Sequence, residues 1–393
     1  MEKFTYDNAL KYLDWLCIFG IKEGLERIKE LAEALGNPQN FYETIHVAGT
    51  NGKGSVCAML SEMLKAQGLR VGLFTSPHLE SYCERIKIDG ENIGEEDFAR
   101  MIKRVKDCNV VATHFEVLTA AAFLYFKECE VDVAVIEVGL GGLYDSTNII
   151  KPKISVITNV ARDHENILGN LEGIAKNKAG IIKRNVPTIT GATGEPLEII
   201  RKTAREKNSV LYEVINPADV NVNLRGEYQK INAAVAIKAA QVFGLDESAI
   251  ATGLTRVTWA GRFEVVNTAN GIVVIDGAHN PHGANALRQS LDKNFPQGKR
   301  VWVFGALRDK DFPTMIDLMF RKNDFVIVTP PDSERAATCE ILCAAIRERG
   351  IDCIGIEDNF AAVERLLNSE AEVKIIAGSL YLIGAVRKFI KAV

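Results

Sequence analysis

The chain has 393 residues, 47% of them hydrophobic and 25% charged, with 47 lysines and arginines against 51 aspartates and glutamates and a formal net charge of -4. That balance fits a globular protein of two or three domains and excludes the basic footprint of a nucleic-acid binder. No apolar run is long enough to span a membrane, MEKFTYDNALKYL has no signal-peptide pattern, and the eight cysteines form no CxxC pair. A cytoplasmic setting is therefore expected, with Cys17, Cys57 and Cys129 as buried thiols.

Residues 1–40 read as two amphipathic helices, with a turn at Phe19-Gly20 and a stop at Gly36-Asn37-Pro38. The run from Gly24 to Ile28 is either a plain helix start or part of a site. A strand, TIHVA, then breaks into Gly49-Thr50-Asn51-Gly52-Lys53-Gly54-Ser55, and SVCAMLSEMLKAQ follows with helical spacing. Strand, glycine-rich turn and helix together make a phosphate loop. Backbone N–H groups and a helix N-terminus face the anion, a lysine adds charge, and a hydroxyl can reach Mg²⁺. The match to GxxxxGK[ST] is imperfect, because Val47 stands at its first glycine and Gly54 separates Lys53 from Ser55. Alone, the stretch could also be a simple strand-to-helix turn.

The strand LRVGLFTSP ends in Thr75-Ser76-Pro77-His78-Leu79, small hydroxyls where open α/β sheets place ligands, and ESYCERIKIDG reads as a hairpin. Residues 95–107 form a charged amphipathic helix. Thr113, His114, Phe115 and Glu116 open the next helix, and a capping box from Thr113 to Glu116 explains them without excluding a site role. VDVAVIE closes an apolar strand on Glu137, a carboxylate that is costly to bury unless it is paired or on a metal, and a Mg²⁺-supporting acid is expected there. GLGG at 139–142 lacks the GxGxxG spacing of a dinucleotide site. ISVITNV delivers Asp163-His164, and the helix LEGIAKNKAGIIK carries Lys178, which is either an exposed helical lysine or a group whose charge is masked near a metal.

VPTITGA is a further strand, residues 197–207 a charged helix, and 208–227 irregular and short-stranded. Asn232 lies in the first turn of an alanine-rich helix, and a short helix then leads to Trp259-Ala260-Gly261-Arg262-Phe263-Glu264. From residue 271 the pattern restarts: GIVVIDGAHNPHGANAL is strand, turn and helix, and four more strands follow. This is a second, smaller α/β unit with its own parallel sheet, carrying Asp276 and His279 at a strand end. The expected division is 1–267 and 268–393.

In order along nearly the whole chain, the motifs resemble the folylpolyglutamate synthase/dihydrofolate synthase family of the Mur-ligase superfamily. They are AGTNGKGS at 48–55, TSPHL at 75–79, ERI at 84–86, FE at 115–116, TA at 119–120, EVGLGG at 137–142 and DxTN at 145–148. They continue with DH at 163–164, LG at 168–169, KAGI at 178–181, GRFE at 261–264, DGAHNP at 276–281, VFGA with DKD at 303–311 and GSLYLIG at 378–384. GKGS favours the folate branch over the GKT[ST] of muramyl ligases.

The resemblance implies a P-loop, Mur-ligase-type central ATPase domain with a parallel-rich sheet and a smaller Rossmann-like C-terminal α/β domain. It implies ATP on Thr50, Asn51, Gly52, Lys53, Gly54, Ser55, Asn232, Arg262 and Asp276. Two Mg²⁺ ions would be held by Ser76, Glu137 and His164, with a carbamylated Lys178 whose new negative charge answers the charge objection. Lys178, Asp276 and His279 would serve catalysis. Gly24, Thr113 to Glu116, and Tyr144, Asp145 and Ser146 would border the pterin or pteroate. The implied reaction is ATP-dependent amide formation between L-glutamate and a folate or dihydropteroate through an acyl phosphate, by a monomer. Four features depart from the family pattern: Leu143 replaces the Arg of GGRxDxTN, Tyr228 the His of HQxxNA, Asn177 the Glu of EKAGI, and the segment between LG and KAGI lacks the usual Thr. A Mur-type ligase for another amino acid and acid, a P-loop kinase or ATPase, and a non-catalytic nucleotide-binding module are the rival readings.

Overall fold

A computed structural model describes residues 3–18, 20 and 22–392. Phe19, half of the expected Phe19-Gly20 turn, lies outside the described residues. The chain divides into two units, Met1–Asn223 with Lys230–Val257, and Leu224–Gln229 with Thr258–Val393, and each is described by itself.

The first unit is built on an eight-stranded sheet of β1 (Glu43–Ala48), β2 (Val71–Phe74), β3 (Ile86–Ile88), β4 (Glu91–Asn92), β5 (Val133–Glu137), β6 (Ile154–Ile157), β7 (Thr188–Thr190) and β8 (Leu211–Glu213). Its order is β4-β3-β2-β5-β1-β6-β7-β8. From β2 to β8 all pairings are parallel, and the antiparallel pairings are those of β3 with β2 and with β4, its partner in the expected hairpin. Parallel strands covered on both faces must be apolar throughout, which is why VAVIE and ISVI read as unbroken runs and are buried throughout. β1 sits between β5 and β6, with Val47 opposite Glu137. The loops after these three strands share one edge, the edge where doubly wound sheets bind ligands.

Helices pack both faces. The helix His114–Glu128 is apolar nearly all round and almost wholly buried, and its first turn carries the expected capping box between Thr113 and Glu116. The first helix, Tyr6–Cys17, presents Ala9, Leu13 and Leu16 to the core. Cys17, one residue past Leu16, turns off that face and is exposed, unlike the expected buried thiol; Cys57 is buried and Cys129 half-buried. Among the described residues no helix is long and apolar enough to cross a membrane.

The second unit has six strands, β9 (Glu264–Thr268), β10 (Gly271–Asp276), β11 (Arg300–Phe304), β12 (Phe325–Val328), β13 (Asp352–Gly355) and β14 (Val373–Ala377), in the order β13-β12-β11-β14-β10-β9. All pair in parallel except the β9–β10 hairpin. β9 begins before residue 268 and still belongs to this sheet, because the turn between Thr268 and Gly271 folds it straight back onto β10.

Gly253, in the helix Glu247–Arg256, lies against the helix Lys53–Ala66 so closely that a Cβ there would fall 2.5 Å from the Cα and N of Met63. Backbone atoms cannot yield as a side chain can. Gly253→Ala should therefore lower the unfolding free energy by about 1–3 kcal/mol despite alanine's better helix propensity, read as a shift in denaturation midpoint.

Candidate active site

The loop after β1 is shaped by two glycines that no other residue could replace. Gly49 has φ of +150°, and a Cβ there would lie 1.9 Å from Thr158 Oγ1. Gly52 has φ of +82°, and a Cβ would lie 2.4 Å from Asn232 Oδ1, so Asn232 rests directly on the loop. The loop is also tied to the end of β6. Thr50 N donates to Asn159 O at 3.0 Å, Asn51 N to Asn159 Oδ1 at 3.0 Å, and Asn51 O accepts from Thr158 Oγ1 at 2.7 Å and Asn159 Nδ2 at 2.8 Å. Thr50 Oγ1 exchanges bonds with the Ala161 carbonyl and amide at 3.1 and 3.0 Å. The helix Lys53–Ala66 starts at Lys53, and its N-cap, Gly52, has no side chain with which to cap it. Its leading N–H groups therefore retain the positive potential that suits an anion.

Two lysines converge on this loop. Lys53 Nζ donates to Gly49 O at 3.1 Å and to Thr50 O at 3.3 Å, and Lys178 Nζ donates to the same Gly49 O at 2.9 Å. Lys178 is buried, not an exposed helical lysine. Burial first, and then the neighbouring Lys53 ammonium, push its amine down to about 7, against the pull of the Asp163 and Asp145 carboxylates.

Glu137, at the end of β5, is buried, and its Oε2 accepts from Ser76 N at 3.0 Å, so two of the three expected metal residues meet. His164 adopts a left-handed conformation, φ +53°, at the head of the short helix Glu165–Leu168, with Nε2 3.8 Å from Asp163 Oδ1. Among the described residues no three His, Cys, Asp or Glu side chains form a ready-made metal cage. One buried carboxylate beside a hydroxyl residue does fit Mg²⁺, which takes one or two carboxylates and completes its octahedron with water and phosphate oxygens.

Glu116 accepts Thr113 N at 2.7 Å and pairs with Arg27, whose Nε lies 3.1 and 3.2 Å from its two oxygens. This ion pair joins the Gly24–Ile28 run to the THFE segment, where Gly24 has φ of +114°. Phe115 stacks on Phe74 at 5.8 Å, and its ring occupies the space that a Cβ at Gly139 would fill. His114 Nε2 lies 3.1 Å from Tyr82 Oη, the His78 ring lies tilted against Tyr82 with centroids 4.3 Å apart, and Arg85 Nε donates to His78 Nδ1 at 2.8 Å. Burial and then the Arg85 charge hold both imidazoles neutral, His78 down to about 3 and His114 to about 4. Asp145 is buried, accepts from Leu140 N at 2.9 Å and Thr147 N at 3.0 Å, and is raised by that burial against those bonds. Ser146 Oγ meets Thr119 Oγ1 at 2.7 Å, while Tyr144 is exposed.

In the second unit Asp276 closes β10 and is buried. Its Oδ2 accepts from Phe263 N at 2.7 Å and Tyr228 Oη at 3.0 Å, and its Oδ1 from Ala278 N at 2.8 Å. Burial raises its carboxyl, with the Arg262 guanidinium opposing. Arg262 leaves no room for a side chain at Gly277, where a Cβ would lie 2.4 Å from Nη1. His279 Nδ1 lies 2.7 Å from Gly277 O; a carbonyl only accepts, so Nδ1 carries the proton and Nε2 is the basic nitrogen of the neutral ring. Asn280 then caps the helix Pro281–Asn294. Behind the GRFE motif, Glu264 binds Arg387 at 2.8 and 3.0 Å, Lys391 at 2.9 Å and Gly261 N at 2.9 Å, and burial notwithstanding these hold it down to about 2.

The Mur ligase middle domain matches residues 47–274 and the Mur ligase glutamate ligase domain residues 261–380. The dihydrofolate synthase/folylpolyglutamate synthase of Bacillus subtilis is 34% identical, over 98% of this chain and 99% of that one. The chain belongs to the folylpolyglutamate synthase/dihydrofolate synthase family. Among solved structures, Escherichia coli FolC in complex with DHPP and ADP superposes with a TM-score of 0.90 at 30% identity, covering 98% of each chain. The bifunctional Yersinia pestis enzyme complexed with AMPPNP and a Mn ion gives 0.87 at 30% identity, again over 98% of each.

Three of the ligase's departures from the family pattern, Leu143, Tyr228 and Asn177, have structural partners. Leu143 packs on Gly180 and donates its N–H to Asn177 O at 2.8 Å and Asn177 Oδ1 at 3.2 Å, so two of the departures touch each other. Tyr228 supplies the hydroxyl on Asp276. The supporting roles of Thr158, Asn159, Asp163, Arg27 and Arg85 were not foreseen; the TN after β6 was a signal available for the first two, being a polar pair at a strand's ligand-facing end.

Buried His46 is likewise held down to about 3, by burial and then Lys183. His46, His78 and His114 all titrate below their ordinary 6.5 in the folded ligase, so below that pH the unfolded chain binds more protons than the folded one. Their contribution to stability is complete above about pH 6.5 and is lost progressively as the pH falls toward 4. Denaturation at pH 7 and pH 5 should show this loss, His114→Phe should reduce it, and imidazole NMR shifts of the folded protein should report neutral rings at pH 5.5.

Proposed function

We propose that the chain joins L-glutamate to a pteroate or folate acceptor at the cost of ATP, with release of ADP and phosphate. A carboxylate is a poor electrophile at neutral pH, so the γ-phosphoryl is first transferred to an acceptor carboxylate oxygen, giving an acyl phosphate and ADP. The glutamate amine attacks the acyl carbon, loses a proton, and phosphate leaves. The observation that carries this reading is the glycine-shaped loop with Lys53 and Lys178 on one carbonyl. It supports a phosphate site with charge aimed at a transferring phosphoryl.

The residues divide the work as follows. Thr50 to Ser55 and Asn232 hold the phosphates, and Lys53 turns from Gly49 O toward them. Ser76, Glu137 and His164 are assigned to a divalent cation, which when bound offsets charge on the β- and γ-phosphate oxygens. Arg262 and Asp276 are assigned to ATP, and His279, with Nε2 as its basic nitrogen, to the proton of the attacking amine. Gly24, the Thr113–Glu116 segment and Tyr144 to Ser146 are assigned to the acceptor, where Phe115 offers a flat face and neutral His114 a ring nitrogen.

With its amine at about 7, Lys178 is substantially unprotonated at neutral pH and can add CO2, giving a carbamate and releasing a proton. The product carries a negative charge beside Lys53 in place of a second positive one. We assign this carbamate to Lys178, and a ¹³C carbamate signal from labelled bicarbonate should be present in the wild type and lost in Lys178→Ala.

Lys53→Ala should abolish ADP release while leaving the thermal transition in place. With ATP, Mg²⁺ and L-glutamate, turnover with dihydropteroate alone identifies a dihydrofolate synthase, with reduced folate alone a tail-lengthening enzyme, and with both a bifunctional one. ADP release independent of glutamate and acceptor would sink the ligase reading.

A further inference from the structure

The strand leading into the phosphate loop buries two polar residues among its apolar ones, Thr44 and His46, and His46 is completely buried. In register it lies between Ile136 and Ser155. Its Nε2 lies 2.8 Å from Thr147 Oγ1, and Thr147 Oγ1 donates its single hydrogen to Asp145 Oδ1 at 2.5 Å. The threonine oxygen must then accept from the imidazole, so His46 is the Nε2–H tautomer. Its Nδ1 has no hydrogen-bond partner among the described residues. A leucine at 46 would leave no buried acceptor unpaired, so the cost of this histidine is offset only by what its Nε2–H does.

What it does is hold a loop. Four consecutive residues are each tied to their surroundings: Asp145 to Leu140 N, Ser146 to Thr119, Thr147 to His46, and Asn148 to Lys183 at 2.7 and 2.8 Å. Of these ties, only that from His46 comes from β1, the strand that leads into Gly49 to Lys53. We infer that His46 is a positioning residue that fixes loop 144–148 relative to the phosphate loop, so that the acceptor carboxylate is presented to the γ-phosphoryl. This rests on the assignment of Tyr144, Asp145 and Ser146 to the acceptor.

The test compares His46→Leu, His46→Gln and Thr147→Val in the full chain. Glutamine places an N–H donor close to the position of Nε2. His46→Leu and Thr147→Val should each raise KM for the acceptor about tenfold with KM for ATP within twofold, the double variant should be no worse than either single one, and His46→Gln should stay within about twofold of wild type. Should His46→Leu fail to fold, Thr147→Val carries the same comparison. Unchanged acceptor KM in the variants, or equal rises for ATP and acceptor, would overturn the inference. If wild type itself shows no glutamate-dependent ADP release, the ligase reading fails separately. Hydrogen exchange over residues 140–148 then decides: faster in His46→Leu but not in His46→Gln supports the relay, and unchanged exchange in both refutes it.

Discussion

Two lysine amines meet on one carbonyl oxygen, so that the charge of one bears on the proton of the other. Lys53 and Lys178 both reach Gly49 O, and that carbonyl is available only because Gly49 adopts a backbone conformation other residues avoid and carries no Cβ to strike Thr158. Lys53 heads the helix Lys53–Ala66 and is half-buried. Lys178 is buried deeper and is the one whose proton is displaced. Much of the first unit's site chemistry follows from that asymmetry. Lys178 is the amine that burial and the neighbouring Lys53 charge push down to about 7.

The same economy runs through the acceptor side. Glu116 satisfies a helix N-terminus and an arginine at once, and Asp145 caps its own turn while receiving Thr147. Neither is an idle acid awaiting a ligand. Buried carboxylates with several donors hold their surroundings stiffly. Neutral His78 and His114 add polar edges without adding charge.

The sheets, their parallel runs, the glycine loop, the Glu137 strand end and the second α/β unit were legible because each leaves a local pattern: an apolar run, a turn, a periodic helix. The capping box at Thr113 was legible for the same reason. The rest was hidden by distance along the chain. Whether Lys178 was exposed or buried depended on Gly49, 129 residues away, and nothing local distinguishes the two cases. Tyr228 on Asp276, Arg27 on Glu116 and His46 on Thr147 are also joined by topology alone. β9 escaped notice because its residues are half-exposed and it runs straight on from the GRFE motif.

The way Glu264 and β10 are held has a consequence for how the chain is made. β10 pairs with β14, and Glu264 is gripped by Arg387 and Lys391, so the strand and turn that present Asp276 and Arg262 are completed by residues 373–391. During vectorial synthesis the first unit's sheet, formed by residues 43–213, can close while the second unit still lacks its central strand. Nascent chains stalled before residue 373 would carry a finished phosphate loop and an unfinished ligase unit. Catalytic competence would then be among the last properties the molecule acquires as it leaves the ribosome.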